Sequence, residues 1–445
     1  MLPSSLRLLV LKRHINLHRK TCFGKGDNGF SMTVAPSVGM IDEKVRILLC
    51  GLDAKQIVTL IADVTENGMK FESRCVYQAD TNGNVDNFTD ESIGGSFVGI
   101  EPMGLFWSLK CISGPQRSAR LVKKDVCTPM IFDIRVFAGT QTGSNISVPP
   151  LVLTRLQRLY KHPGVRRIPL TGRFKGTIFL PEGDGPFPGL IDMFGGIVSL
   201  IETRAALLAS HGYATMALSY LYGEGLPQML MSTDFSYIKE ACEWFMEQDF
   251  IDKSRLGAVG LCFGGFLSLA LASVLPQIRG VVNVNGVTVT AEENCIVCES
   301  PAWLKKEKVY NTDEGIVIAD VYDCDNPRTA WQHGAKILVI VGEDDKQVHP
   351  KWHTFFYEQC PSQFKQNIHI HRYPGAGHMI EPPYSPHSRV VTPGRKRMKS
   401  INFISEKFYD ADMVVGGWPD KHAFAQEDSW NKILTFLEQN VKNPS

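Results

Sequence analysis

Three residue types that cooperate in nucleophilic attack on a carbonyl occur in order along this chain, each just after an apolar run. The first run, Arg255-Leu256-Gly257-Ala258-Val259, leads into Gly260-Leu261-Cys262-Phe263-Gly264 and then into the apolar stretch ending at Ser273. This reads as a strand, a tight turn and a helix. A potential nucleophile with small residues two before and two after it makes an elbow that exposes the reactive side chain at a strand end. The helix N-terminus just beyond favours a thiolate at Cys262. Gly-x-Cys-x-Gly also arises by chance, and buried cysteines are common, so the partners decide. The β-branched run Ala335 to Val341 ends in Gly342-Glu343-Asp344-Asp345. The alternating run Asn367 to Tyr373 ends in Pro374-Gly375-Ala376-Gly377-His378. A carboxylate and a histidine in that order, each past a strand, supply an orienting acid and a general base. Spacing alone leaves Asp344 and Asp345 open. His369 and His371 fall inside the strand and read as structural, whereas His378 sits on the loop.

The elements that must position these groups follow from texture. From about Arg167 onward strands and helices alternate, the mark of a parallel sheet with crossover helices. With the elbow, this predicts an α/β-hydrolase catalytic domain over residues 161–445. From about Val34 to Leu153 short strands are separated by Gly, Asp and Asn turns. That pattern predicts an all-β, immunoglobulin-like sandwich over residues 31–160, with the linker near Lys161-His162-Pro163-Gly164. Residues 1–30 are read as a targeting leader. No acid precedes Asp27, while Arg7, Lys12, Arg13, Arg19, Lys20 and Lys25 are basic and interspersed with leucines. A mitochondrial presequence has this composition, and so does a disordered basic tail. The last residues, Lys442-Asn443-Pro444-Ser445, are not a peroxisomal address.

Composition narrows the partners. At 445 residues, two or three domains are expected. A net charge of +1 gives no basic face for nucleic acid, and no apolar run reaches the roughly 20 residues of a membrane span. A monomer is expected. The eleven cysteines are an odd number without a regular framework, which points to a reducing compartment. Cys295 and Cys298 form a lone C-x-x-C pair with no second pair at ligand spacing, so neither a metal nor another cofactor is expected. Asn87 and Asn145 head glycosylation sequons, but no secretory leader supports their use.

Longer segments carry a resemblance. Gly94-Gly-Ser-Phe-Val-Gly-Ile-Glu-Pro-Met-Gly-Leu-Phe-Trp107, Arg120 to Val126, Pro186 to Gly196, Val341 to Asp345 and Tyr373-Pro-Gly-Ala-Gly-His-Met-Ile-Glu-Pro-Pro383 resemble the type I acyl-CoA thioesterases and bile acid-CoA:amino acid N-acyltransferases. The likeness runs from about residue 35 to the C-terminus. It implies Cys262 as nucleophile and His378 as base. It also implies Asp345 as the acid, since the family's acid closes the Gly-x-x-Asp turn. The thioesterases of the family mostly place serine at the nucleophile, and the bile-acid conjugating enzyme places cysteine. The chain departs from the family in its short Gly195-Gly196-Ile197 run, in the stretch around Cys295 and in an insertion near Pro393-Gly-Arg-Lys-Arg-Met-Lys399. That insertion is either a solvated basic loop or a contact for CoA phosphates.

The expected chemistry is attack of the Cys262 thiolate on an acyl-CoA thioester, giving an acyl-cysteine. The oxyanion would be held by the backbone N–H of Phe263 and by the Gly196 loop. Water as acceptor gives a fatty acyl-CoA thioesterase, while glycine or taurine gives an N-acyltransferase, for which a thioester intermediate is the better electrophile. An inactive acyl-CoA-binding scaffold and a dienelactone-type carboxylesterase are the readings from other classes.

Overall fold

In this computed structural model, residues 22–25, 29–113, 119–143, 146–196, 199–290, 304–323, 326–401 and 403–444 are described. Residues 1–21, Asn145, Ile197, Cys295 and Cys298 lie outside them. The chain divides into two compact units. The first comprises Met1–Pro115 and Leu121–Tyr160, and the second Gln116–Arg120 and Lys161–Ser445. The described residues Ala119 and Arg120 thus group with the second unit, although they fall inside the range 31–160 expected of the first.

The first unit is all β. Strands Cys22–Lys25, Ser31–Ala35, Arg46–Cys50 and Val85–Asp86 form one antiparallel sheet. A second sheet is built on Met130–Ala138, flanked by Ile57–Glu66 and Val152–Leu159. From Val152 to Arg158 this last strand alternates between buried and exposed residues, the signature of a strand with one face on a core. Two sequence expectations are modified here. Cys22–Lys25 pairs residue by residue with Ser31–Ala35, so ordered sheet begins within the range assigned to the leader. The sequon residue Asn87 is 3% exposed, with its amide donating to Val45 O and Pro102 O and accepting from Ile47 N. It is a core hydrogen-bonding group with no room for a glycan.

The second unit is built on eight strands. In chain order they are β1 (Arg166–Leu170), β2 (Lys175–Leu180), β3 (Phe187–Met193), β4 (Ala214–Ser219), β5 (Ile251–Leu261), β6 (Ile278–Val284), β7 (Lys336–Gly342) and β8 (Ile368–Tyr373). Their order across the sheet is β1-β2-β4-β3-β5-β6-β7-β8. β2 is antiparallel to both neighbours, and every pairing from β4 to β8 is parallel. This is the α/β-hydrolase order. The parallel strands are covered on both faces, which is why β4 and β7 are almost wholly buried and mostly apolar. The helices used below are α1 (Thr203–Ser210), α2 (Phe235–Met246), α3 (Phe263–Val274), α4 (Lys351–Gln359), α5 (Arg395–Ser400) and α6 (Pro419–Leu437). α2 carries its apolar residues at helical spacing, buries Ile238, Ala241, Cys242 and Phe245, and is capped by Asp234 accepting from Ser236 N. Among the described residues no helix is long and apolar enough to cross a membrane.

Candidate active site

The carboxyl ends of the parallel strands lie on one edge of such a sheet, where α/β folds gather their ligands. Six loops leave it: Phe194–Gly196 after β3, Tyr220–Tyr222 after β4, Cys262 after β5, Asn285 after β6, Asp344–Asp345 after β7 and His378 after β8.

The elbow is set by backbone crowding. Cys262 has φ 59° and ψ −125°, a left-handed conformation that costs a non-glycine residue about 1–3 kcal/mol unless its surroundings enforce it. The enforcement is visible. Cys262 N donates to Val284 O at 2.9 Å, and Cys262 O accepts from Gly265 N at 3.0 Å as α3 begins. A β-carbon on Gly260 would stand 2.1 Å from Gly264 O, and one on Gly264 would stand 2.2 Å from Met193 O. No larger residue fits at either position.

The candidate acid and base come from the next loops. Asp345 Oδ1 accepts from Gln347 N at 2.7 Å and Val348 N at 2.9 Å, which leaves Oδ2 to meet His378 Nδ1 at 2.7 Å. Both side chains are almost fully buried. Nδ1 therefore carries the proton donated to Asp345. Nε2 is buried and makes no hydrogen bond of good geometry among the described residues, but it faces the Cys262 thiol closely enough for the two groups to interact. Asp344 points elsewhere: it pairs with Arg389 at 2.6 Å and Lys346 at 2.7 Å, and accepts from Gly417 N at 2.9 Å. The choice that spacing left open is made by the turn, which sends adjacent carboxylates to opposite sides.

Electrostatics couple the thiol to the imidazole. Burial alone would raise a thiol, as it does at Cys242, pushed up to about 12. At Cys262 burial acts the same way, but the charge of His378 and its contact with the sulfur outweigh it and hold the thiol below its ordinary value. Conversely, burial would lower His378, yet Asp345 and the Cys262 thiolate raise it to about 10. Each stabilises the charged form of the other, so a thiolate–imidazolium pair is favoured.

The loop after β3 lies over the sulfur. A β-carbon on Gly195 would stand 3.5 Å from Cys262 Sγ. Its carbonyls are held by two tyrosines from the end of β4. Tyr220 OH donates to Phe194 O, and Tyr222 OH donates to Gly196 O at 2.7 Å. Beneath, the buried Arg204 on α1 pairs with Asp192 at 2.6 Å and donates to Met193 O at 2.9 Å. With the carbonyls engaged, the N–H groups of Gly195 and Gly196 donate to no acceptor among the described residues, and the Phe263 N–H favours the thiolate form of Cys262.

Sequence reasoning missed the residues that fix the base. Asn285, at φ 49°, accepts from Gly342 N at 2.7 Å and donates to Gly377 O at 3.0 Å and His378 O at 2.7 Å. It ties the ends of β6 and β7 to the histidine loop. His422 on α6 accepts from Gly377 N at 3.1 Å through Nδ1 and meets Met379 O at 2.9 Å through Nε2, so it brackets His378 from both sides in sequence. The ring of His387 stacks on it at 3.8 Å. The only sequence signal for Asn285 is an Asn-Gly pair at a strand end, and nothing local distinguishes His422. His369 and His371 lie on β8 as expected, exposed and half-buried.

Two family profiles match this chain. The one described as "Acyl-CoA thioester hydrolase/BAAT N-terminal region" covers residues 42–172, and "BAAT / Acyl-CoA thioester hydrolase C terminal" covers residues 233–443. The chain is 36% identical to the bile acid-CoA:amino acid N-acyltransferase of Mus musculus, over 92% of this chain and 97% of that one. It is 33% identical to acyl-coenzyme A thioesterase 5 of Mus musculus, over 91% and 96%. With human acyl-coenzyme A thioesterase 2, mitochondrial, it shares 34% identity over 90% and 82%. The chain belongs to the family of acyl-CoA thioester hydrolases and bile acid-CoA:amino acid N-acyltransferases.

Proposed function

We propose that this chain hydrolyses fatty acyl-CoA to free acid and CoA through an acyl-Cys262 intermediate. The observation that carries the reading is the buried Cys262–His378–Asp345 arrangement at the strand ends. The thiolate attacks the thioester carbonyl, and the N–H groups of Phe263 and Gly196 receive the oxyanion. CoA leaves as its thiol by taking the His378 Nε2 proton. The freed imidazole then takes a proton from water as water attacks the acyl-cysteine, and Asp345 keeps Nδ1 protonated throughout. No metal or cofactor takes part.

Transfer to glycine or taurine is the second reading, and the cysteine favours it. An acyl-cysteine remains a thioester, which amines attack far more readily than an oxyester. The test incubates the protein with a long-chain acyl-CoA, with and without glycine or taurine, and identifies the products by mass. Free acid alone supports hydrolysis, and an N-acyl amino acid supports transfer. Release of neither CoA nor acid overturns both.

Two finer readings accompany this one. The two sheets of the first unit form an immunoglobulin-like sandwich, supported by the one-sided burial of Val152–Leu159. The site of action is the mitochondrion, supported by the basic, acid-free leader. Because Cys22–Lys25 belongs to a sheet, processing would fall before Cys22. A reporter fused to residues 1–21 that stays cytosolic removes the mitochondrial reading.

A further inference from the structure

The basic insertion is not a free loop. Residues 395–400 read Arg-Lys-Arg-Met-Lys-Ser and form α5, entered through Gly394 at φ 79°. Met398 is fully buried in an apolar cluster with Ile316, Val321, Ile401 and Met413. That anchor fixes which face of the helix looks outward. Of its four cations, Arg395 is neutralised by Asp410, with Glu406 at 3.7 Å. Lys396, Arg397 and Lys399 pair with no carboxylate among the described residues, and both lysines are exposed.

Arg397 connects this helix to the nucleophile. Its guanidinium lies 3.9 Å from the centroid of the Tyr222 ring. The Tyr222 hydroxyl is 2.8 Å from Ser400 Oγ at the end of the same helix, and it donates to Gly196 O in the loop over Cys262. A guanidinium stacked by its face keeps its N–H edges available, the geometry that binds phosphate oxygens in pairs. Three uncompensated cations are therefore held on a segment pinned to the reactive loop, in a chain whose net charge is only +1.

We propose that Lys396, Arg397 and Lys399 of α5 form the subsite for the phosphate groups of the CoA thioester. This deepens the acyl-CoA reading above and rests on it. The arm of such a substrate is long, flexible and uncharged, and its negative charge is concentrated at the nucleotide end. Binding that end places recognition away from the reacting carbonyl, where it serves both to attract the substrate and to hold it.

The test compares one acyl group carried on CoA and on pantetheine, which has no phosphate, in the full chain. For Arg397→Gln, and for the double variant Lys396→Ala/Lys399→Ala, the ratio of kcat/KM on acyl-CoA to kcat/KM on acyl-pantetheine should fall about 10-fold, as expected for loss of a charge-assisted hydrogen bond. Lys253→Ala, an exposed lysine near the amino end of β5, at the end of that strand opposite the elbow, makes the same charge change as Arg397→Gln and should keep the ratio within about twofold, since a distant surface charge is screened. If Arg397→Gln merely loosens Tyr222 and the reactive loop, both substrates slow together and the ratio stays constant. That outcome overturns the subsite. Titration of free CoA and of pantetheine into wild type and the double variant provides the second readout. Weakened binding of CoA alone supports the proposal, and equal binding of CoA by both proteins overturns it. If wild type cleaves neither thioester, the acyl-CoA reading fails, and the titration still decides whether α5 binds phosphates.

Discussion

The proposed nucleophile and its proposed base are held by different physics. Cys262 is fixed by its own backbone and by the absence of side chains around it, at Gly260, Gly264 and Gly195. His378 is fixed by side chains from distant segments: Asp345 after β7, Asn285 after β6 and His422 on α6. A steric mount tolerates no substitution but needs no partner. A hydrogen-bonded mount is adjustable and depends on the protonation state of its parts. The elbow should therefore fail by losing the fold, and the histidine loop by losing rate and pH range.

The largest effects sharpen the contrast at the elbow. Gly264→Ala places a β-carbon 2.2 Å from Met193 O and should yield little folded protein, read by circular dichroism. Cys262→Ala removes only the sulfur, so it should fold normally and lose about 10⁵-fold or more in thioester cleavage. A folded, active Gly264→Ala protein would break the steric account.

The next effect belongs to the acid. Asp345→Asn should leave the fold intact and lower kcat about 10⁴-fold, because the amide cannot hold Nδ1 in its protonated tautomer. Asp344→Asn, which loosens the contacts to Arg389 and Lys346, should cost less than about tenfold, because that partly exposed ion pair is screened by water. The reverse ranking would break the assignment.

How much of this was legible in the sequence follows the same division. The elbow is local: nucleophile, flanking glycines, strand and helix lie within twenty residues, and periodicity with small residues exposes them. The order of acid and histidine, one past a β-branched run and one past an alternating run, was legible for the same reason, as was the change from all-β to alternating texture near Lys161. The choice between Asp344 and Asp345 needed the turn geometry or the family resemblance. Asn285, Tyr222 and His422 were not legible, because their partners lie 92, 26 and 45 positions away and no local pattern marks such a contact. The ordered strand at Cys22–Lys25 was hidden by basic composition, since Lys25 fits an edge strand as well as a leader.

A smaller effect tests the hydrogen-bonded mount itself. Asn285→Ala would strand Gly342 N–H and the carbonyls of Gly377 and His378, each at about 1–3 kcal/mol if left unsatisfied. We expect kcat to fall about 100-fold through misplacement of the imidazole, with KM little changed. Loss confined to KM would show that the loop is positioned by something else.

The smallest expected effect is the most specific, because it concerns a proton. His422 accepts from Gly377 N–H at Nδ1, so that nitrogen must be bare, and Nε2–H must be the donor to Met379 O. Only the neutral ring satisfies both. Burial, followed by the neighbouring His387, holds His422 well below the ordinary histidine value, and burial likewise lowers His387 to about 4. A histidine whose folded pKa is depressed adds stability that is fully present above the unfolded value near 6.5. That stability is lost as the pH falls from there toward the folded pKa, because the unfolded chain takes up the proton first. The wild type should therefore lose stability between pH 6.5 and pH 5 in proportion to the protons taken up on unfolding. His422→Gln keeps an acceptor and a donor on one side chain but cannot titrate. Its unfolding free energy, measured by denaturant at pH 7, 6 and 5, should show a slope shallower by up to about 1.4 kcal/mol per pH unit, the contribution of one proton. His422→Ala removes the same proton and both hydrogen bonds, so it should share the shallower slope and also lower kcat about tenfold at pH 7. Equal slopes in wild type and His422→Gln would mean that His422 is not held neutral. The mount of the base would then differ less from the mount of the nucleophile than these hydrogen bonds require.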